Sequence, residues 1–207
     1  MDAVQRQLSD QIDQATQRLL DAARVINAQD LREPSLLPGW TRAHVLAHLA
    51  RGADAMRNLL VGVRSGQDRP AYASAEAREA GIESGAAMKT SELMVYLADS
   101  AMAFRAIARG LPDDGWQVPV LLLDSGSFPA GQLLIRRLVE VELHHCDLGI
   151  GYGRTEWPAA FAAMELAEPM RSQREERLSY VQPSLTARAR PQAAWKPGQR
   201  LPGSWIG

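Results

Sequence analysis

The stretch LLIRRLVEVELHHCDLGI, residues 133–150, decides how the rest of the chain reads. Leu134, Leu138, Val141, His145 and Leu148 recur at spacings of three and four, the period of one helix face. Pro129, tolerated in a first helical turn, marks the start, so the spacing predicts a helix from about 129 to 150. Glu140 and His144 are four residues apart and Asp147 is three further on, which puts all three on one stripe beside the apolar face. A helix with polar groups aligned at a core edge belongs against other helices.

Three more segments carry the same period. Residues 2–28 place Val4, Leu8, Ile12, Ala15, Leu19, Ala22 and Ile26 on one face. Pro34, Pro38 and Gly39 then stop the helix, and Thr41 is placed to cap a second one over 41–64, with Val45, Leu49, Ala53, Met56, Leu60 and Val63 in register. A third runs over 91–109 through Leu93, Leu97, Ala101, Phe104 and Ala108. Residues 65–89 are small and polar and read as a long connection with at most one short helical piece; residues 110–128 read as loop around the apolar run Val118–Leu123. A fifth helix is expected over 157–178, kinked or divided by Pro169. The fold class that follows is all-α: a four-helix bundle with long crossover connections. The tail from Ser179 to Gly207, with four prolines and no helical period, adds a short irregular or partial α/β segment.

Composition sets the outer bounds. The chain has 207 residues, 46% hydrophobic and 23% charged, enough for one full domain and part of another. A net charge of −1 gives no cationic field for a phosphate backbone, which argues against a nucleic-acid partner. No apolar run approaches the roughly 18 residues of a membrane span, and no signal-peptide pattern opens the chain. With Cys146 the single cysteine, the expected setting is reducing and cytoplasmic.

The 4 histidines are not spread along the chain but fall in two groups, His44 with His48 and His144 with His145. His48 directly precedes the core residue Leu49 and is expected to point inward, towards the stripe of Glu140 and His144. Bundle cores build metal sites from carboxylates and histidines on facing helices, and two His with one Glu is a ligand set of catalytic zinc. Asp147 is placed to hold a ligand's second ring nitrogen. Against this stands the plainer reading of Glu140 and His144 as a surface pair; His44 with His48 offers a second possible i, i+4 ligand pair. His44 is expected to be structural or solvent-facing, His145 a hydrogen-bonded core histidine, Cys146 a packing residue rather than a nucleophile, and Trp40 a packing anchor. Arg137, one turn back on the Glu140 stripe, is placed to neutralise that carboxylate, to bind a substrate carboxylate, or to serve structure alone.

Two motifs carry a resemblance. Residues 37–49, LPGWTRAHVLAHL, resemble the second-helix signature of the DinB-like bundles. Residues 136–148, RRLVEVELHHCDL, are similar to the metal helix of that group, in particular of the mycothiol-dependent maleylpyruvate isomerases. The resemblance implies a metal-binding bundle over 1–165 and a shortened C-terminal extension over 166–207, where the isomerases carry an α/β domain that contributes an arginine. It implies a divalent metal, usually zinc, held by His48, Glu140 and His144, and a small thiol, mycothiol in the isomerase branch, as cofactor. The implied partner is a small-molecule electrophile or an unsaturated dicarboxylate. The expected function is isomerisation of maleylpyruvate to fumarylpyruvate or a related S-transfer, with a metal-dependent hydrolase or a non-catalytic metal-binding regulatory bundle as alternatives. No oligomeric state is assigned.

Overall fold

The structure, a computed structural model, describes residues 1–123 and 126–179. Helix α1 (Ala3–Arg24) begins in a capping box: Gln5 N–H donates to the Asp2 carboxylate and Asp2 N–H to the Gln5 side chain. It buries Ile12, Ala15 and Leu19 of the stripe read from the sequence, with Ala23 buried in place of Ala22 and Val4 exposed. Helix α2 (Arg42–Ser65) follows a short 3₁₀ turn and is capped by Thr41, with His44 in the position usually taken by Glu or Gln. Gly66 ends it at φ 65°, in the left-handed region that glycine enters without strain.

The connection after α2 departs from expectation. Residues 75–86 form a full helix, α3 (Ala75–Ala86), capped by Ser74. Its buried residues are Arg78, Ile82, Gly85 and Ala86. They have helical spacing, but only Ile82 is large and apolar, so no hydrophobic stripe announces them. Gly85 allows a close approach to α2, since a Cβ there would lie 2.8 Å from the Cβ of Ala47. Helix α4 (Thr90–Arg109) then packs along α2.

Residues 110–131 also hold more than loop. A 3₁₀ turn over Asp113–Gln117 is followed by a small antiparallel hairpin, β1 (Pro119–Leu121) and β2 (Ser127–Pro129), with Val120 opposite Phe128. Pro129 thus ends a strand, and the metal-motif helix, α5 (Gln132–Asp147), starts three residues later than expected. The expected fifth helix is divided into α6 (Ala159–Ala162) and α7 (Met170–Leu178), with Pro169 at the N-cap of α7. The C-terminal segment from residue 180, expected to be irregular or partial α/β, lies outside the described residues.

The all-α class and bundle architecture are as expected, with α5 at the centre. Helices α1, α2 and α7 all pack on it, and every residue from Arg136 to Asp147 is buried. The sequence pattern gave α5 a polar edge; in the fold that edge is internal. Its charged residues therefore all require partners inside the protein.

Candidate metal centre

Two helices bring the site together. The Thr41 cap starts α2, and the turn before it is fixed by Ser35, whose N–H donates to the Trp40 carbonyl at 2.8 Å. Two turns into the helix, His48 faces α5. Its Nε2 lies 3.1 Å from Nε2 of His144 and 3.3 Å from Oε1 of Glu140. The two imidazoles meet edge to face with centroids 4.6 Å apart, and Trp40 packs over His48 with centroids 5.4 Å apart. His48, Glu140 and His144 form the group of three buried ligand-type residues, with ligand atoms all within 4.8 Å of one another.

Protonation favours metal binding over an ion pair. Burial lowers the pKa of His48 to about 4 despite the neighbouring Glu140 carboxylate, so the ring is neutral at pH 7. Burial on its own would raise Glu140, but the adjoining His48 ring, His144 and Arg137 hold it below the ordinary carboxylate value. Asp147 is likewise held low, because burial is outweighed by Arg177 and His144. His144 Nδ1 lies 2.8 Å from Asp147 Oδ2 and is placed to donate to it, which turns Nε2 of the same ring towards His48.

Three electron-rich atoms, two imidazole nitrogens and a carboxylate oxygen, thus converge in a buried space. Neither Glu140 oxygen accepts a hydrogen bond from the described residues; its nearest cation, Arg137 Nη1, is 3.6 Å away. One proton on His48 Nε2 would serve a single neighbour, whereas a divalent cation satisfies all three. Tetrahedral zinc with bonds of ~2.0–2.1 Å has ligand–ligand edges of about 3.3 Å, close to the 3.1 and 3.3 Å that separate His48 from its two neighbours, while all three atoms lie within 4.8 Å of one another. The residues fit the metal that their chemistry implies.

The rim is cationic. Arg137, fully buried on α5, donates to the Leu49 carbonyl at 2.9 Å. Arg78 on α3 pairs with Glu79 while its Nε and Nη2 have no hydrogen-bond partner among the described residues. Its charge reaches both His48 and the buried hydroxyl of Tyr72, whose pKa burial and the Glu140 charge push upward.

Residues 12–149 match the sequence profile of the family described as the mycothiol maleylpyruvate isomerase N-terminal domain. The chain belongs to this family. Two solved structures agree with that membership, the mycothiol-dependent maleylpyruvate isomerase and a histidine-to-alanine mutant of it. Each superposes with a TM-score of 0.72 at 28% identity, covering 74% of this chain and 64% of the isomerase chain. This chain therefore spans a little under two thirds of those proteins' length. No curated protein matches it. The family expected from the two motifs is the family found.

The remaining residues singled out in the sequence fall outside the triad. His44 is structural: its ring nitrogen lies 2.6 Å from the Thr41 hydroxyl, and its Nε2 lies 3.3 Å from Glu83. His145 is buried as expected, but its main contact is different. Its ring stacks flat on Tyr152 at 3.7 Å, and Nε2 has no hydrogen-bond partner among the described residues. Burial, followed by the charge of Arg18, lowers its pKa to about 3. Cys146 accepts a hydrogen bond from Trp157 Nε1 at 3.1 Å, and burial pushes its thiol up to about 12, which suits packing and not nucleophilic attack. Trp40 is a buried anchor.

Sequence reasoning missed two groups around the site. Arg177, on α7, is buried against Asp147. Glu142 lies on another face of α5 and is met by Arg18 at 2.6 Å and by the Tyr152 hydroxyl. None of the three partners has a helical spacing relation to its carboxylate, so no motif in the sequence points to them.

Proposed function

We propose that the chain is a metal- and thiol-dependent enzyme of the maleylpyruvate isomerase type. Zinc is the metal, held by His48, Glu140 and His144, and mycothiol or a similar small thiol is the cofactor. The reaction is isomerisation of maleylpyruvate to fumarylpyruvate, or S-transfer to a related electrophile. The observation that carries this reading is the set of three convergent ligand atoms with no fourth protein ligand among the described residues. Two nearby ligand-type side chains are engaged elsewhere, His44 in the α2 cap and Asp147 with His144 and Arg177. A structural zinc site is closed by four protein ligands, whereas a catalytic one leaves a position for an incoming group.

The chain's own residues prepare that position. Asp147 orients His144, whose Nδ1 is placed to donate to it. Glu140 would supply the one negative charge among the three ligands, and imidazoles bind a divalent cation in their uncharged form, so the centre would retain net positive charge when loaded. Arg137 and Arg78 extend that field over the surrounding wall, favouring anionic reactants. A bound divalent cation lowers the pKa of a thiol so that thiolate is available at neutral pH. Such a thiol would supply reversible addition to the activated double bond of the substrate, freeing that bond to rotate before elimination restores it in the trans form, while the field of Arg137 and Arg78 favours the anionic substrate. No proton is consumed overall. In the S-transfer variant the new C–S bond is kept and a leaving group departs instead.

No helix among the described residues is long and apolar enough to cross a membrane. The buried, protonated Cys146 fits the reducing, cytoplasmic setting in which a free small thiol is abundant. The test is turnover of maleylpyruvate and of simple electrophiles by zinc-loaded protein, with and without thiol. Turnover that requires both thiol and metal is the expected result. Hydrolysis of an ester or amide without thiol would overturn the proposal in favour of a metal hydrolase.

A further inference from the structure

Helix α7 lies beyond residue 149, where the family match ends, yet it reaches the centre through one side chain. Arg177 Nε donates to Asp147 Oδ1 at 3.1 Å, and Nη2 donates to Oδ2 at 2.9 Å. The same Oδ2 lies 2.8 Å from His144 Nδ1, and the opposite nitrogen of that ring faces His48. Arg177 and Asp147 are 1% and 0% exposed. The guanidinium is itself held by α7, Nη1 donating to the Gln173 carbonyl at 3.1 Å and pairing with Glu176.

Stability is a weak reason for such a pair. The desolvation of two buried charges largely offsets their attraction, and a packed apolar pair of similar volume serves stability as well or better. What the pair does deliver is direction. The planar fork grips both oxygens, so the carboxylate cannot rotate away from His144. We infer that Arg177 is a positioning residue of the metal centre: it fixes Asp147, and through Asp147 the ring of His144, so that α7 sets the centre's affinity for a divalent cation. This rests on the metal reading of the site.

The test uses the full chain with zinc as probe. Zinc affinity is measured by competition with a chromophoric chelator, and the metal-free proteins are compared by thermal melting. Arg177→Met should weaken zinc binding by up to about tenfold, the lower end of the range for loss of the group behind a ligating histidine, since Asp147 itself remains. Arg177→Lys, which keeps the charge but not the fork, should fall between. Arg174→Met is the control. That arginine ties α7 to the α6 region through the carbonyls of Phe161 and Met164 at 2.9 and 2.8 Å and does not touch Asp147. Its loss should lower the melting temperature of the metal-free protein and leave zinc affinity unchanged. The inference fails if Arg177→Met binds zinc as the parent does, or if Arg174→Met loses as much affinity. Should Arg177→Met not fold, parental affinity in Arg177→Lys overturns it equally. A parent protein that binds no zinc overturns the metal reading itself, and this inference with it.

Discussion

Substituting His145→Phe should remove much of the protein's sensitivity to mild acid. His145 sits inside the bundle, stacked on Tyr152, and its folded-state pKa is about 3 against an ordinary value of 6.5. The unfolded chain therefore takes up a proton near pH 6.5 that the folded chain accepts only near pH 3. Stability from this residue is full above pH 6.5 and is lost progressively as pH falls towards 3. At pH 4.5 two units of that window have been crossed, which at 1.36 kcal/mol per unit is about 3 kcal/mol, a large share of a typical 5–15 kcal/mol. Phenylalanine keeps the stack on Tyr152 and has no titrating nitrogen. It also removes the unpartnered Nε2, so stability at pH 7 should be equal or slightly higher. Urea unfolding at pH 7 and pH 4.5, with a chelator present so that metal loss does not contribute, gives the comparison. His48 titrates in both proteins and cancels in the difference. An acid loss in His145→Phe as large as in the parent would refute the argument that burial on α5 holds this ring neutral.

Three further outcomes follow from the geometry. His48→Ala and Glu140→Gln should each weaken zinc binding by more than tenfold, because the first removes a ligand and the second a ligand charge; chelator competition measures both. Gly85→Leu should destabilise the protein by about 1–3 kcal/mol, since even a Cβ there meets Ala47 at 2.8 Å, and the loss is read by urea unfolding. Cys146 should resist thiol-specific reagents in the folded protein and react readily once unfolded, as its burial and its pKa of about 12 require; the rate with an aromatic disulfide checks it.

The convergence of His48, Glu140 and His144 was legible because helix geometry is local. Glu140 and His144 share a stripe by spacing, and His48 is turned inward by its place beside Leu49. What spacing could not convey was the environment of α5. A helix buried on every side needs partners for Glu142, His145 and Asp147, and those partners come from Arg18 and Arg177, far away in the chain, and from Tyr152 just beyond the helix end. Helix α3 stayed hidden for a different reason. Its inward face is built from Arg78, Gly85 and Ala86 around a single Ile82, so its burial comes from close approach and not from a hydrophobic stripe. The hairpin was missed because strands of three residues are too short to show an alternation.

The central claim is a divalent metal on His48, Glu140 and His144 with one position open to a thiol. Cobalt(II) substituted for zinc reports on both parts in one spectrum, through the intensity of its ligand-field bands and through sulfur-to-cobalt charge transfer. The account predicts one cobalt per chain with a four-coordinate spectrum, and a new charge-transfer band when mycothiol is added. Failure to take up cobalt, or a spectrum that saturating thiol leaves unchanged, would contradict it.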